Sequence, residues 1–439
     1  MKFMHTLCII ISFTLFLNLT TFANTIIPSY ALPSDISPPE ITSESAILME
    51  AKTGTILYEK NIHQKLFPGG STKSLTTAVG LEYGSLDQMV TFSDEAIFSI
   101  ERNSSHLWMV PEEQITLEEA LYGMMLQSAN DVSNGVAESI SGSIEKFVQL
   151  MNQKAQSLGA YNTHFTNPHG LHNEQHYTTA YDMALIAKEA LQNQKFREII
   201  QTPRYEIPPT NKNEIRYLHN QHYMLPGCTR NIKYVYEGCL GGKTGYTDQA
   251  RHTLVTYAQK NGLELICVIL KSDKPLMYDE TTTLFDYGFN QFSLLKLANA
   301  NTSFTSIPLK NSHDTIKTRI QEDIYAVVPK HIVKEKIQNM VVLPYQIQTS
   351  VQKGETLGYI DFSYQNNPIA KVNIISQDNY NFPVEKEIPS SMEVTSSQTL
   401  TTSFSFKRVI IMIIVLFLLL GGLFSLLSLL STYQPMHKR

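Results

Sequence analysis

Phe67-Pro68-Gly69-Gly70-Ser71-Thr72-Lys73-Ser74-Leu75-Thr76 is the stretch on which the reading of this chain turns. From Lys73 to about Glu82 the sequence reads as a helix, so Lys73 stands in its first turn. A lysine can serve as base to a hydroxyl nucleophile when its pKa is lowered by burial and neighbouring cations. Side chains three apart on a helix share a face, with about 5–6 Å between Cβ atoms. The residue three before Lys73 is Gly70, which has no side chain. Ser71 is its neighbour, but one residue rotates a side chain about 100° around a helix, and its Oγ is expected to point away from Lys73. Two further strings follow: Ser128-Ala129-Asn130, just after a second apolar helix, and Lys243-Thr244-Gly245, just before a strand. Each string is weak alone. A second Lys-Thr-Gly at Lys52 to Gly54 reads as a hairpin turn, and a Ser-x-x-Lys at Ser143 to Lys146 reads as a polar helix start.

The surrounding pattern is α+β. Ser45 to Glu50 and Gly54 to Glu59 form a hairpin across Ala51-Lys52-Thr53-Gly54. Helical periodicity runs over Leu117 to Met125, Ile144 to Leu158 and Thr178 to Gln192. Thr253 to Tyr257 and Leu263 to Leu270 are paired strands joined at Asn261-Gly262. Helices enclosed by strands from both ends predict a mainly antiparallel sheet flanked by helices over residues 43–292. After Phe292 short β-rich runs alternate with turns (Tyr325 to Val328, Met340 to Leu343, Leu357 to Phe362, Ala370 to Ile375), a small all-β domain over residues 300–388.

In order, the three strings resemble the active-site motifs of the serine penicillin-recognising enzymes. The flanks Asn167-Pro168-His169-Gly170-Leu171, Tyr177-Thr178-Thr179-Ala180-Tyr181-Asp182 and Gly242 to Ala250 narrow the resemblance to serine-type D-alanyl-D-alanine carboxypeptidases, the low-molecular-mass penicillin-binding proteins. The resemblance implies a serine β-lactamase/penicillin-binding-like fold. It implies Lys73 as base, Ser128 as proton relay, Asn130 holding the substrate amide and Lys243 keeping the site electropositive. Thr244, Gly245 and Tyr246 would bind substrate, Thr244 at the terminal carboxylate, with the Gly70 and Tyr246 N–H groups as oxyanion hole. Residues 68–73 align with the family pattern without a gap, so its nucleophilic serine falls on Gly70. A second departure is Met277, where such sequences usually carry an arginine that helps hold the carboxylate. Arg251 either compensates or is a surface strand residue.

The ends carry their own signals. Residues 1–23 read as a cleaved secretory signal, 24–42 as a leader and 389–408 as a flexible tether. Val409 to Leu430 is uncharged and, as a helix about 33 Å long, suffices to cross a ~30 Å membrane core. Residues 431–439 would then be a cytoplasmic tail, with the body on the outer face of a bacterial cytoplasmic membrane. A net charge of -5 argues against a nucleic-acid surface. Of four cysteines, Cys228 and Cys239 are close enough in sequence to pair outside the cell, whereas Cys267 lies in an apolar strand. His169, His172 and His176 are spaced loosely in a loop, and there is no Gly-rich phosphate loop, so neither metal nor cofactor is expected.

Two functional readings follow. One is a carboxypeptidase acting on peptidoglycan stem peptides that end in D-Ala-D-Ala, impaired at Gly70, with Ser71 as substitute nucleophile. The other is an inactive pseudoenzyme that binds such peptides, β-lactams or a wall-synthesis partner. A third class, a membrane-anchored scaffold working through its β domain, would need a large apolar or basic patch there.

Overall fold

The computed structural model describes residues 36–228 and 232–382. The expected signal, tether, membrane span and tail, with most of the leader, lie outside the described residues. Among the described residues no helix is long and apolar enough to cross a membrane.

In chain order the elements are β1 (Ser45–Glu50), β2 (Ile56–Lys60), α1 (Lys73–Tyr83), β3 (Met89–Thr91), α2 (Asp94–Phe98), β4 (Gln114–Thr116), α3 (Leu117–Gln127), α4 (Asn130–Ser141) and α5 (Ile144–Ser157). There follow α6 (Ala180–Ala190), α7 (Gln194–Gln201), β5 (Arg204–Ile207), β6 (Arg216–His219), β7 (Cys239–Thr247), β8 (Arg251–Lys260), β9 (Leu263–Ser272) and α8 (Lys274–Gln291). The main sheet has the order β2-β1-β9-β8-β7 and is antiparallel throughout.

Period-2 alternation in this sheet sorts its side chains into two cores. Ile47, Met49, Val255, Tyr257, Ile266 and Val268 face a layer of helices α1 and α3 to α7. Ala46, Leu48, Leu254, Leu265, Cys267 and Ile269 face α8 through Leu284, Phe285 and Phe289. Both faces of the strands are thereby covered, which explains why their sequences read as nearly continuous apolar runs. Glu280 of α8 accepts hydrogen bonds from Thr42 and Ser43 and ties the chain ahead of β1 to this helix.

Local signals account for the helix boundaries. Thr116 and Glu119 form a reciprocal capping box at the start of α3. Ser143 and Thr179 cap α5 and α6. Ser143 is thus a helix cap and not a nucleophile, and Lys52-Thr53-Gly54 lies in the β1–β2 turn with Gly54 at φ 79°. Four helices, α2, α4, α7 and α8, were not anticipated. In α4 the apolar face is interrupted by Asn, Ser and Gly, so its periodicity is faint.

The β domain begins earlier than the expected residue 300. β10 (Phe292–Ala298) pairs with β13 (Ile324–Pro329), beside a second sheet ordered β11-β12-β16-β15-β14. In that sheet β11 is Ser303–Pro308, β12 Thr315–Ile320, β14 Gln338–Val342, β15 Thr356–Tyr364 and β16 Asn367–Ser376. Leu297, Ala326 and Val328 complete a core with Ile360, Val372 and Ile374, which is the physical reason β10 belongs with this domain.

The possible Cys228–Cys239 bond is not formed: both residues are free thiols, with burial pushing Cys228 up to about 11 and Cys239 to about 12.

Gly241 joins the two layers. It sits at φ 99° at the register shift in β7, and an added Cβ would fall 2.0 Å from the Ile200 carbonyl oxygen at the end of α7. Gly241→Ala therefore combines left-handed strain with a backbone clash, and a loss of about 3 kcal/mol or more is expected in a urea or thermal melt. A change under about 1 kcal/mol would show that this contact is soft.

Candidate active site

The segment quoted at the outset folds as one turn of 3-10 helix, Gly69–Thr72, running directly into α1. Gly69 takes φ 54°, and the Lys73 N–H donates to the Gly70 and Ser71 carbonyls. This turn buries the Lys73 side chain between the helical layer and the edge strand β7. Its Nζ donates to Asn130 Oδ1 at 2.7 Å and to the His169 carbonyl at 2.6 Å. Burial, and then the neighbouring Lys243 cation, push the Lys73 amine well below its ordinary value, while Asp131 acts in the opposite direction. If neutral, the amine would offer two N–H donors to these two acceptors and keep a lone pair free.

Asn130 is placed by its neighbours on both sides. Ser128 closes α3 at φ 61°, a left-handed conformation that is unusual for a residue with a Cβ, and Asn130 then opens α4. The Asn130 N–H donates to the Ser105 carbonyl at 2.8 Å. The next residue, Asp131, is buried and accepts from the Leu107, Met109 and Val132 amides. The loop before β4 is thereby pinned against the start of α4.

The third string lies on β7. Gly242, at φ 151°, would put a Cβ 2.0 Å from the Val255 carbonyl oxygen, so the run ahead of Lys243 requires glycine. Lys243 is buried and donates to the Thr244 carbonyl at 2.9 Å, and burial lowers its amine to about 7. An added Cβ at Gly245 would meet Gly70 N at 2.6 Å, and one at Gly69 would meet Tyr246 N at 3.3 Å. The two amides expected to form an oxyanion hole thus lie along one seam between the 3-10 turn and β7.

These stretches enclose a cleft of about 480 Å³. Of the expected residues, Gly70, Lys73, Ser128, Asn130, Thr244, Gly245 and Tyr246 line it, and Lys243 lies buried behind. An added Cβ at Gly70 would lie 3.2 Å from Ser128 Oγ and 3.0 Å from the Thr244 carbonyl oxygen. Gly70 therefore faces Ser128, and a side chain there would require its neighbours to give by a few tenths of an ångström. Ser71 is turned away. It is fully buried, and its Oγ hydrogen-bonds to Thr253 Oγ1 at 2.9 Å on the sheet side.

Met277 apart, the other cleft residues were not singled out for the site by the sequence. His169 was quoted only as a flank, yet its carbonyl holds Lys73. Tyr223, His252, Lys274, Met277 and Tyr278 line the far half. Arg251 does not compensate for Met277: it is exposed at the β7–β8 turn, paired with Asp273 at 2.7 Å. Lys274 lies one turn before Met277 on the same face of α8 and also lines the cleft.

A helical layer against an antiparallel sheet, with the serine-and-asparagine turn and the lysine-bearing edge strand closing on a buried lysine, defines the penicillin-binding-like class of α+β proteins. Residues 33–274 match the family described as D-alanyl-D-alanine carboxypeptidase, and residues 292–381 match the C-terminal domain of penicillin-binding protein 5. The chain is 33% identical to the D-alanyl-D-alanine carboxypeptidase DacF of Bacillus subtilis over 72% of this chain and 80% of that protein. It is 28% identical to DacA of Escherichia coli over 74% of this chain and 80% of that protein. Penicillin-binding protein 5 from Haemophilus influenzae superposes with a TM-score of 0.69 at 26% identity, covering 79% of this chain and 99% of that one. The protein belongs to the D-alanyl-D-alanine carboxypeptidase family.

The buried lysines set a pH dependence. A lysine whose folded value is lowered binds fewer protons folded than unfolded, so its burial is costly at low pH and the cost disappears as pH rises. For Lys243, lowered from 10.5 to about 7, stability should rise with pH from about 7 upward. Urea titrations between about pH 7 and 9 should show this slope, reduced in Lys243→Met. An identical slope in the variant would mean that Lys243 is not desolvated in the folded protein.

Proposed function

We propose that this protein binds peptidoglycan stem peptides ending in D-Ala-D-Ala without forming a covalent acyl-enzyme. One observation carries the reading: Gly70 faces Ser128 in the cleft, while the Ser71 hydroxyl is buried on the other side against Thr253. Attack on the carbonyl would need an oxygen at the Gly70 position. Without it, the nucleophile's share of catalysis, about 10⁶-fold in turnover in a comparable serine hydrolase, is absent. The remaining machinery suits binding. The Gly70 and Tyr246 amides would polarise the peptide carbonyl, Asn130 would take the amide, and Lys73, Ser128 and Lys243 would keep the surroundings polar and positive. At the far end, Thr244 and Lys274 would receive the carboxylate of the last residue.

Export through residues 1–23 and anchoring by residues 409–430 on the outer face of the cytoplasmic membrane complete the proposal. Both rest on sequence alone, and they would place the cleft where stem peptides are found.

Incubation of the full chain with labelled penicillin, followed by denaturation, tests the absence of covalent chemistry. The unaltered protein should retain no label, whereas Gly70→Ser should acquire it, because the new side chain asks its neighbours to give only a few tenths of an ångström. Retained label mapping to Ser71 in the unaltered protein would overturn the proposal. Non-covalent binding is tested separately by calorimetry, comparing a D-Ala-D-Ala peptide as free acid and as C-terminal amide. The free acid should bind about fivefold tighter, allowing for the exposure of Lys274, and Lys274→Met should remove most of that preference. A preference undiminished in Lys274→Met would place the carboxylate elsewhere.

A further inference from the structure

Trp108 is the chain's one tryptophan, and it is presented to solvent in an unusual way. Its side chain is 77% exposed, whereas Leu107 and Met109 on either side are buried. Its backbone lies at φ 58°, a left-handed conformation that a bulky residue adopts only when its surroundings force it. The surroundings here are two buried carboxylates and an arginine. Asp131 accepts from the Leu107 and Met109 amides that bracket the tryptophan. Glu113 accepts from the Val110 amide and pairs with Arg216, whose guanidinium also donates to the Leu107 and Trp108 carbonyls. His106 meets the indole edge-on, with ring centroids 4.1 Å apart. The largest apolar side chain is therefore held outward on a rigid, strained support, where exposing it gains nothing for stability.

The same loop forms one wall of the cleft. Asn103, Ser104 and Ser105 line it, and the Ser105 carbonyl accepts from Asn130, next to the Lys73 amine. Trp108 follows Ser105 by three residues, at most about 10 Å of chain. An extended peptide advances about 3.4 Å per residue, so three or four residues leading out of the cleft span as much length as this stretch of chain.

We propose that Trp108, with His106 beside it, is a stacking platform for the sugar portion of a ligand whose peptide lies in the cleft. This rests on the stem-peptide reading above. In a wall stem peptide the end opposite the free carboxylate is joined to an amino-sugar strand. The C–H face of a pyranose ring is apolar and weakly positive, and it complements the electron-rich face of an indole. The indole keeps two torsions and a fixed backbone, so little entropy is lost on stacking. The stem-peptide cleft and the platform would then read the two ends of one ligand, its carboxyl terminus and its glycan, and would distinguish wall material from free peptides.

Because Trp108 is the sole tryptophan, its emission reports on this site alone. The full chain should be titrated with a D-Ala-D-Ala peptide, with the same peptide carrying its N-acetylglucosaminyl-N-acetylmuramyl disaccharide, and with the free disaccharide. Affinities are read by calorimetry and the indole by fluorescence. The disaccharide-peptide should bind roughly two- to tenfold tighter than the bare peptide and change the emission, while the bare peptide leaves the emission as it was. Trp108→Ala should bring the ratio of the two affinities to about one, and Trp108→Phe should keep most of it, with unchanged circular dichroism showing that both fold. Equal affinities with unchanged emission would overturn the platform. An emission change of the same size with bare peptide would overturn the sugar assignment. Failure of every ligand to bind would instead count against the stem-peptide reading, and the platform would fall with it.

Discussion

Burial of the Lys73 amine is the constraint around which the rest of this structure is arranged. A lysine out of water must neutralise or find partners, and this one finds its partners by drawing together segments far apart in the chain. Asn130 comes from the start of α4, the His169 carbonyl from the loop before α6, and Lys243 from the edge strand. Removing either acceptor, Asn130 Oδ1 or the His169 carbonyl, would leave a buried donor unsatisfied, at a cost of about 1–3 kcal/mol. The helical layer and the sheet are thus held in register by a polar group as well as by their apolar faces.

Against that background, what has changed at Gly70 is narrow. Lys73, Ser128, Asn130 and the Gly70 and Tyr246 amides share one cleft, and a Cβ at Gly70 would make contacts of 3.0–3.2 Å there. Glycine also frees the turn from any side chain that would hold the walls apart. The neighbouring hydroxyl of Ser71 cannot swing into the gap without abandoning Thr253 and rotating the turn through about 100°. This geometry is what the proposal of binding without covalent chemistry rests on.

Much of this was legible in the chain itself. The helix starts near Ser143 and Thr179, the Asn261-Gly262 turn and the strands it joins were placed to within a few residues, because each is decided by local chemistry. The helix α4 was missed because its small polar residues blur the 3.6-residue period, and it buries them through contacts from α2, α3 and α5 that no local window contains. The start of the β domain was placed too late because β10 is defined by its partner β13, which lies about thirty residues away and is identified by pairing, not by composition.

The amino-acid sequence by itself determined that the nucleophile position holds glycine, that Lys73, Ser128, Asn130 and Lys243 occur in the order of one protein family, and that Ser71 stands one step out of phase. These follow from residue identity and helical geometry alone. Only the tertiary structure decided that Lys274 and not Arg251 faces the cleft, that a backbone carbonyl at His169 holds the lysine, and that Trp108 is held outward between two buried neighbours. Each of those depends on which distant surface a side chain meets once the layers close, and spacing along the chain carries no record of that.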